Sequence, residues 1–557
     1  MSAATDAEVL VVGAGPCGLM LANELGRRGI DVIVVNERPT TTPHPQANAT
    51  QARTMEYYRR LGFADRIREQ GLPPTYPPDI AYFTRFTGWE LARFKLPPSG
   101  TARNLARQLS GSWSAAELPH RCSQLYIERV LCEEAEKLPS VRILWNRRAT
   151  AVEEGPDRVT LKTEASGGGD PQIFTAPYLV GADGPRSLVR KTLGIDYAGY
   201  REARDFLGGR MHAIYLRCPG LYQAMRCEPA WLYWTVNRGR RSILGAIDGE
   251  GEFVFHTQLT DEEAAAPISD EMARGFFEQA LGAAIGAGPP IEIISRLSWH
   301  AGAALVASRM QSRRIFIAGD AAHLFTPTGG LGYNTAIEDA VNLAWKLAAS
   351  VRGWGGEALL QSYETERRPV AERNTGHARR FADSVGGFVP PEELESDTAE
   401  GAAARAQAGA YLDAHARAEF NIPGITFGVR YDFSPIIAPD GIEPPPDTIN
   451  TYVPTACPGG RAPHLWLADG ASLYDRLGFE FTLLQLGGDE ALARPLVEAA
   501  AHLAIPLKIL PLDAPGAREL YGADLALIRP DQIVAWRGAR PPEDPLALWH
   551  QLVGRAE

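Results

Sequence analysis

Gly13, Gly15 and Gly18 stand at the spacing Gly-x-Gly-x-x-Gly, with Pro16 and Cys17 inside the run, after a β-branched stretch and before a helical one. In that setting glycines allow a tight turn, close approach of backbone to a pyrophosphate, and close packing of helix on sheet. The phosphate charge would rest on unpaired N–H groups at the helix start. Glu37, followed by Arg38, closes the next apolar strand about twenty residues on, where a carboxylate accepts ribose hydroxyls. An acid at that place repels a 2′-phosphate, so the site suits FAD or NAD better than NADP.

A second chemical run lies far downstream, Ile317-Ala-Gly-Asp-Ala-Ala-His-Leu-Phe-Thr-Pro-Thr-Gly-Gly-Leu-Gly-Tyr-Asn-Thr335. A buried strand ends at Gly319-Asp320, whose carboxylate can bind sugar hydroxyls. After Pro327, the loop Gly330, Leu331, Gly332 leads into a long helix bearing Asn334 in its first turn. N–H groups there, with the helix dipole, favour negative charge of the kind a reduced flavin develops. A third run, Gly181-Ala-Asp183-Gly184-Pro-Arg-Ser187, is a strand delivering an Asp-Gly turn into a helix. By local chemistry alone it reads as a plain connection. Gly286-Ala-Gly288 mimics the first motif but follows a helical stretch and lacks the third glycine, so it is expected to be a loop.

These residues need strands ending side by side. The first βαβ unit runs from Val9 through the turn at Gly13 to a strand at Asp31 to Asn36, the opening of a parallel sheet. Tyr178 to Ala182 and Ile315 to Ala318 are further buried strands. Between about 200 and 300 the pattern alternates, as in Met211 to Leu216, Trp231 to Val236 and Ser242 to Ile247, and predicts an antiparallel sheet. A proline-dense stretch from Pro435 to Pro446 reads as a linker, and the last hundred or so residues alternate short strands and helices. At 557 residues, two or three domains are expected. The formal charge of −11 disfavours nucleic acid or an anionic membrane as partner. Six scattered cysteines without a Cys-x-x-Cys pair argue against zinc and against dithiol chemistry, and no metal site is expected. The start of the chain lacks the apolar run of a signal peptide or a membrane span, so a cytoplasmic protein is expected.

Together the three runs resemble the group A flavoprotein aromatic hydroxylases, the family of p-hydroxybenzoate hydroxylase and phenol hydroxylase, over residues 7–385. The resemblance implies an α/β fold. Its Rossmann-like FAD-binding domain, of the p-hydroxybenzoate hydroxylase fold, would take residues 1–75, 100–190 and 295–385. An antiparallel-sheet substrate domain would take 76–99 and 191–294, a helical segment and linker 386–446, and a thioredoxin-like domain 447–557. The last, opened by Arg461-Ala-Pro-His464, is similar to the appendage of the phenol hydroxylase subgroup. With no cysteine after Cys457 it is expected to stabilise the chain or to form a homodimer.

The family implies FAD as cofactor, NADH or NADPH as hydride donor, O2, and a small aromatic substrate. By analogy Asp183 belongs to an Asp-Gly motif associated with FAD and NAD(P)H, and Gln124 contacts flavin. Arg53 lies near the pyrophosphate, and Gln46 stands where many relatives have arginine. Asn48 falls where phenol-type relatives carry His or Asp to assist deprotonation, and asparagine cannot accept a proton at neutral pH. Asn48 and Tyr233 are the catalytic candidates, with Trp231, Tyr215 and His212 as further substrate-side residues. A same-fold oxygenase tailoring a polyketide or other polycyclic compound, by hydroxylation or Baeyer–Villiger chemistry, is the alternative. A flavin-bound binding protein is the non-enzymatic one.

Overall fold

The computed structural model describes residues 5–200, 207, 209–283, 288–487 and 490–556. Residues 286 and 287 of the motif mimic lie outside this set.

Five short β-branched strands form one parallel sheet in the order Ile315–Ile317, Tyr178–Gly181, Val9–Val12, Val32–Val35, Val141–Leu144. Val9–Val12 and Val32–Val35 are buried at every position, as expected for strands covered on both faces. The helices Pro16–Arg27, Gln124–Glu136 and Leu331–Val351 pack on it. Asn23 fastens the first two together through its amide to the Leu131 carbonyl, 2.8 Å away. The register sets where the motifs emerge: Val12 pairs with both Gly181 and Val35, and Gly181 with Ile317. Three motifs scattered over some 300 residues of sequence thereby leave the sheet at one edge, where α/β folds bind ligands.

A seven-stranded sheet forms the second layer, ordered Glu292–His300, Arg210–Arg217, Glu252–Gln258, Ser242–Ala246, Leu232–Thr235, Ile80–Phe83, Glu90–Phe94. All its pairings are antiparallel except that of Leu232–Thr235 with Ile80–Phe83, which is parallel. One face packs against the helix Asp270–Leu281 through Phe255, Phe276 and Phe277. On its other side the strands Ile80–Phe83 and Glu90–Phe94 meet the helix Ala399–Phe420, where Tyr82 lies edge-on to His415. That helix, expected only as part of a linking segment, thus packs on the seven-stranded sheet.

The terminal unit has four strands, Leu507–Pro511 parallel to Phe481–Gln485, then Leu525–Ile528 and Val534–Gly538 antiparallel. Its crossover helix Arg494–His502 and final helix Pro545–Leu552 complete an arrangement consistent with the thioredoxin-like expectation.

Buried histidines set an acid limit on this fold. Burial pushes His120 and His464, each 2% exposed, down to about 3. In the unfolded chain both gain protons near pH 6.5, so between pH 6.5 and 3 the unfolded state binds more protons. Their contribution is complete above pH 6.5 and is lost as pH falls through that window. Melting temperature should therefore decline below pH 6.5, and His464→Asn should make the decline shallower; an unchanged slope in the variant would refute the assignment.

Candidate flavin and substrate site

The first glycine motif is shaped around a missing volume. Gly13 sits at φ +106°, and a Cβ there would lie 2.2 Å from the Ala182 carbonyl oxygen. A Cβ on Gly18 would fall 1.9 Å from the Gly13 oxygen, so helix and strand touch through these two glycines. Gly15 differs: a Cβ on it would meet nothing within 4 Å. The helix that starts at Pro16 has Gly15 as N-cap and no side chain on its free N–H groups. An open space in front of uncapped donors is what a pyrophosphate requires. Cys17 is buried; burial, with Asp339 and Asp320 nearby, raises its thiol, so it is a packing residue.

Glu37 and Arg38 are exposed where the second strand ends, and Asn36 holds the Ala14 N–H at 3.1 Å. Asp320 is open to the groove yet ringed by protein, and the lost solvation raises its carboxyl. The Gly319 turn before it is fixed by Asp339, which accepts from the Gly319 N–H at 3.1 Å, contacts His323 at 2.6 Å, and accepts from Arg367 at 2.8 Å. This buried triad was not anticipated, although His323 lies in plain view of the motif.

The second glycine loop is the N-cap of the long helix. Gly330 adopts φ +62° and a Cβ on it would approach Ala49 to 2.7 Å; no side chain caps the helix behind it. Pro327 is exposed at the loop entrance, Leu331 buried beneath it, and Gly332 packs on Phe325. Asn334 works as a clamp: it accepts from the Gln51 N–H (2.8 Å) and Thr54 hydroxyl (2.7 Å), and donates to the carbonyls of Ala49 (2.8 Å) and Gly330 (2.6 Å). Gln124, first residue of its helix, donates to Glu128 at 2.5 Å, and Glu128 accepts the Thr42 N–H at 2.8 Å. The pair braces the loop carrying Gln46 and Asn48, and burial raises the Glu128 carboxyl. Gln46 itself is exposed.

Two residues expected at the nucleotide site spend their side chains on protein contacts. The Asp183 carboxylate accepts from Ser187 Oγ (2.5 Å) and from the N–H groups of Leu188 (2.7 Å) and Val189 (3.2 Å). It is therefore committed to the start of its own helix. Arg53, 4% exposed, donates to Gln532 Oε1 (2.7 Å), the Asp531 carbonyl (2.8 Å) and Glu56 (3.0 Å). It faces the terminal unit.

At the second sheet, Asn48 presents its amide to Gly245; a Cβ at 245 would be 3.0 Å from Nδ2. Gly245 pairs with Leu232 and Val254, and Val254 with Tyr215, so these share one sheet face. Tyr215 thus faces the cleft, hydrogen-bonded to Glu252 and edge-on to His44. Tyr233 and His212 alternate to the opposite face. Tyr233 is wholly buried beside Phe83 and Phe86, with its hydroxyl accepting the Ala230 N–H at 2.6 Å, so it cannot reach a ligand beside Asn48. His212 is held by Ser298 at 2.8 Å. Trp231 lies at the mouth of its strand, stacked under Arg121.

Two family models match: an FAD binding domain over residues 6–378 and the C-terminal domain of aromatic-ring hydroxylases over residues 455–556. The chain is 32% identical to the FAD-dependent monooxygenase apdD of Emericella nidulans, over 95% of this chain and 87% of that protein. It is 28% identical to phenol 2-monooxygenase of a Pseudomonas strain, over 99% of this chain and 93% of that one. Among solved structures, the rebeccamycin biosynthetic enzyme RebC with reduced flavin superposes with a TM-score of 0.86 at 32% identity, covering 99% of both chains. No helix among the described residues is long and apolar enough to cross a membrane.

Proposed function

The chain belongs to the FAD-dependent aromatic-ring hydroxylases, and from that premise we propose that it hydroxylates a phenolic ring lying between the flavin and the Asn48–Gly245 face of the second sheet. It is an FAD flavoprotein monooxygenase, with NAD(P)H the reductant expected of the family. Bound FAD supplies hydride acceptance and oxygen activation. The protein supplies placement. The donors behind Gly15 and the free edge at Glu37 and Asp320 would hold pyrophosphate and ribose, while the Gly330–Gly332 turn would face the flavin ring.

One observation carries the substrate reading: Asn48 has no hydrogen-bond partner for its side chain among the described residues, and its amide lies against Gly245, where a Cβ would come within 3.0 Å of it. A neutral amide there can donate to a phenolic oxygen and orient the ring, but it cannot remove the proton at neutral pH. Asn48→Ala should therefore slow hydroxylation about ten-fold or more while flavin reduction by NAD(P)H changes little. Stopped-flow traces showing both steps slowed equally would exclude the role.

The likeness to a rebeccamycin biosynthetic enzyme favours a second reading, in which the ring is part of a larger polycyclic scaffold. Substrate-stimulated NAD(P)H oxidation across phenols, naphthols and larger hydroxyaromatics, with product mass, separates the two. A homodimer built on the terminal unit and a cytoplasmic location belong to this proposal; sedimentation tests the first.

A further inference from the structure

Among the ion-paired arginines near the flavin groove, Arg121 stands apart. Its strand, His120–Arg121, pairs with Ala49–Thr50, so Arg121 sits directly across from Ala49 and beside Asn48. Among the described residues its guanidinium makes no hydrogen bond and meets no carboxylate. Its guanidinium stacks on the Trp231 ring, 4.4 Å from Cζ to centroid. Trp231 is 2% exposed, its indole N–H is buried without an acceptor, and its ring is edge-on to Phe420. Trp231 also adjoins Leu232, the cross-strand partner of Gly245. Two contacts, Asn48 on Gly245 and Arg121 on Trp231, therefore bridge the same loop ribbon to the same sheet strands, one position apart.

A buried cation without a counter-ion is costly, and desolvation lowers the Arg121 pKa to about 10. Nearby arginines avoid that cost: Arg68 pairs with Glu117 at 2.6 Å, and Arg93 pairs with Asp79 at 3.3 Å. Arg121 is nonetheless half-buried rather than sealed off. Planar guanidinium donors match the two oxygens of a carboxylate or the single oxygen of a phenolate, and the stack on Trp231 holds the fork in place. The pyrophosphate is not the natural partner: its donors lie at Gly15, whereas Arg121 leans toward Trp231 and Phe420 on the substrate side.

We infer that Arg121, held in place by its stack on Trp231, is the specificity determinant that recognises an anionic oxygen group on the aromatic substrate. The inference rests on the hydroxylase reading for the position of the flavin, but its test does not require turnover. The FAD-loaded protein is titrated at neutral pH with 1-hydroxy-2-naphthoate and with its carboxamide, and with 1-naphthol across neutral to alkaline pH, reading the shift in flavin absorbance. Wild type should favour the carboxylate over the carboxamide by about ten-fold or more, the worth of one charge-assisted hydrogen bond. If the anion is a phenolate instead, naphthol binding should tighten as pH rises. Arg121→Gln should erase whichever preference is seen with FAD content unchanged, and Arg121→Lys should keep part of it. Neither preference in wild type, a preference that survives in Arg121→Gln, or loss of FAD from that variant would each overturn the inference. Failure of the hydroxylase reading shows separately, as no hydroxyaromatic stimulating NAD(P)H oxidation.

Discussion

Gly15→Asp is expected to yield a well-folded protein that purifies without its yellow colour. A side chain at 15 meets nothing within 4 Å, and the residue's φ of −79° and ψ of −175° suit any amino acid. Aspartate is also among the best N-cap residues, because its carboxylate accepts the first free N–H groups of the helix. Those are the donors a pyrophosphate needs, so the carboxylate would occupy the anion's place and repel it. FAD affinity should fall roughly a hundred-fold, the loss of one or two charge-assisted hydrogen bonds plus repulsion, while the apo-protein melts no lower than apo wild type. Gly18→Ala is the contrast: its Cβ would lie 1.9 Å from the Gly13 oxygen, so it should disturb the fold as well as the flavin. Visible absorbance, FAD titration and far-UV circular dichroism distinguish the outcomes. A Gly15→Asp protein retaining FAD near wild-type affinity would mean that the pyrophosphate does not lie on this helix.

Local runs were legible and long-range commitments were not. Each flavin motif carries its own strand, turn and helix start within a few residues, so chain order and turn chemistry sufficed to bring them to one edge. Arg53 shows where such reading stops: its shortest hydrogen bond, to Gln532, spans 479 residues, and no local pattern announces it. Tyr233 shows a second limit. In a strand, one residue decides between two faces, and the sequence Trp231-Leu-Tyr-Trp234 is apolar at every position, so alternation gives no cue to which aromatic meets ligand. Asp183 shows a third: an Asp at a strand end serves a helix N-terminus and a cofactor equally well in sequence, and here its carboxylate caps its own helix. Arg121 was hidden by the same symmetry. It stands three residues before Gln124, but only three-dimensional neighbours reveal that its guanidinium has neither a carboxylate nor a hydrogen-bond acceptor among the described residues.

The largest stability loss is expected at Glu366, the point where the terminal unit locks onto the flavin domain. This residue of the helix Glu357–Gly386 accepts from Arg529 at 2.7 and 2.9 Å, Lys346 at 2.7 Å, Asn342 at 2.7 Å and Ser434 at 2.6 Å. The side chains of Glu366, Lys346 and Arg529 are all fully inaccessible. Despite its burial, these cations hold the Glu366 carboxyl well below the usual range, whereas burial lowers Lys346 to about 8. Glu366→Ala removes the shared anion and leaves two buried cations, of which Arg529 keeps only Asp531. Breaking a buried pair by removing one partner costs about 3–5 kcal/mol. Losing Glu366 also removes what holds the Lys346 proton, so its pKa falls further below the unfolded value of 10.5; the Glu366→Ala protein should therefore gain more stability than wild type, whose gain begins near 8, as pH rises toward about 10.5. Because Arg53 and Arg461 clamp the same unit through Gln532 and Glu56, the variant should loosen this docking before the parallel sheet unfolds. Limited proteolysis should then release a fragment near residues 455–556, the extent of the C-terminal family match, ahead of flavin loss in a urea titration. If flavin loss and cleavage coincide, or if the variant unfolds within about 1 kcal/mol of wild type, the anion at Glu366 is not what holds the two units together.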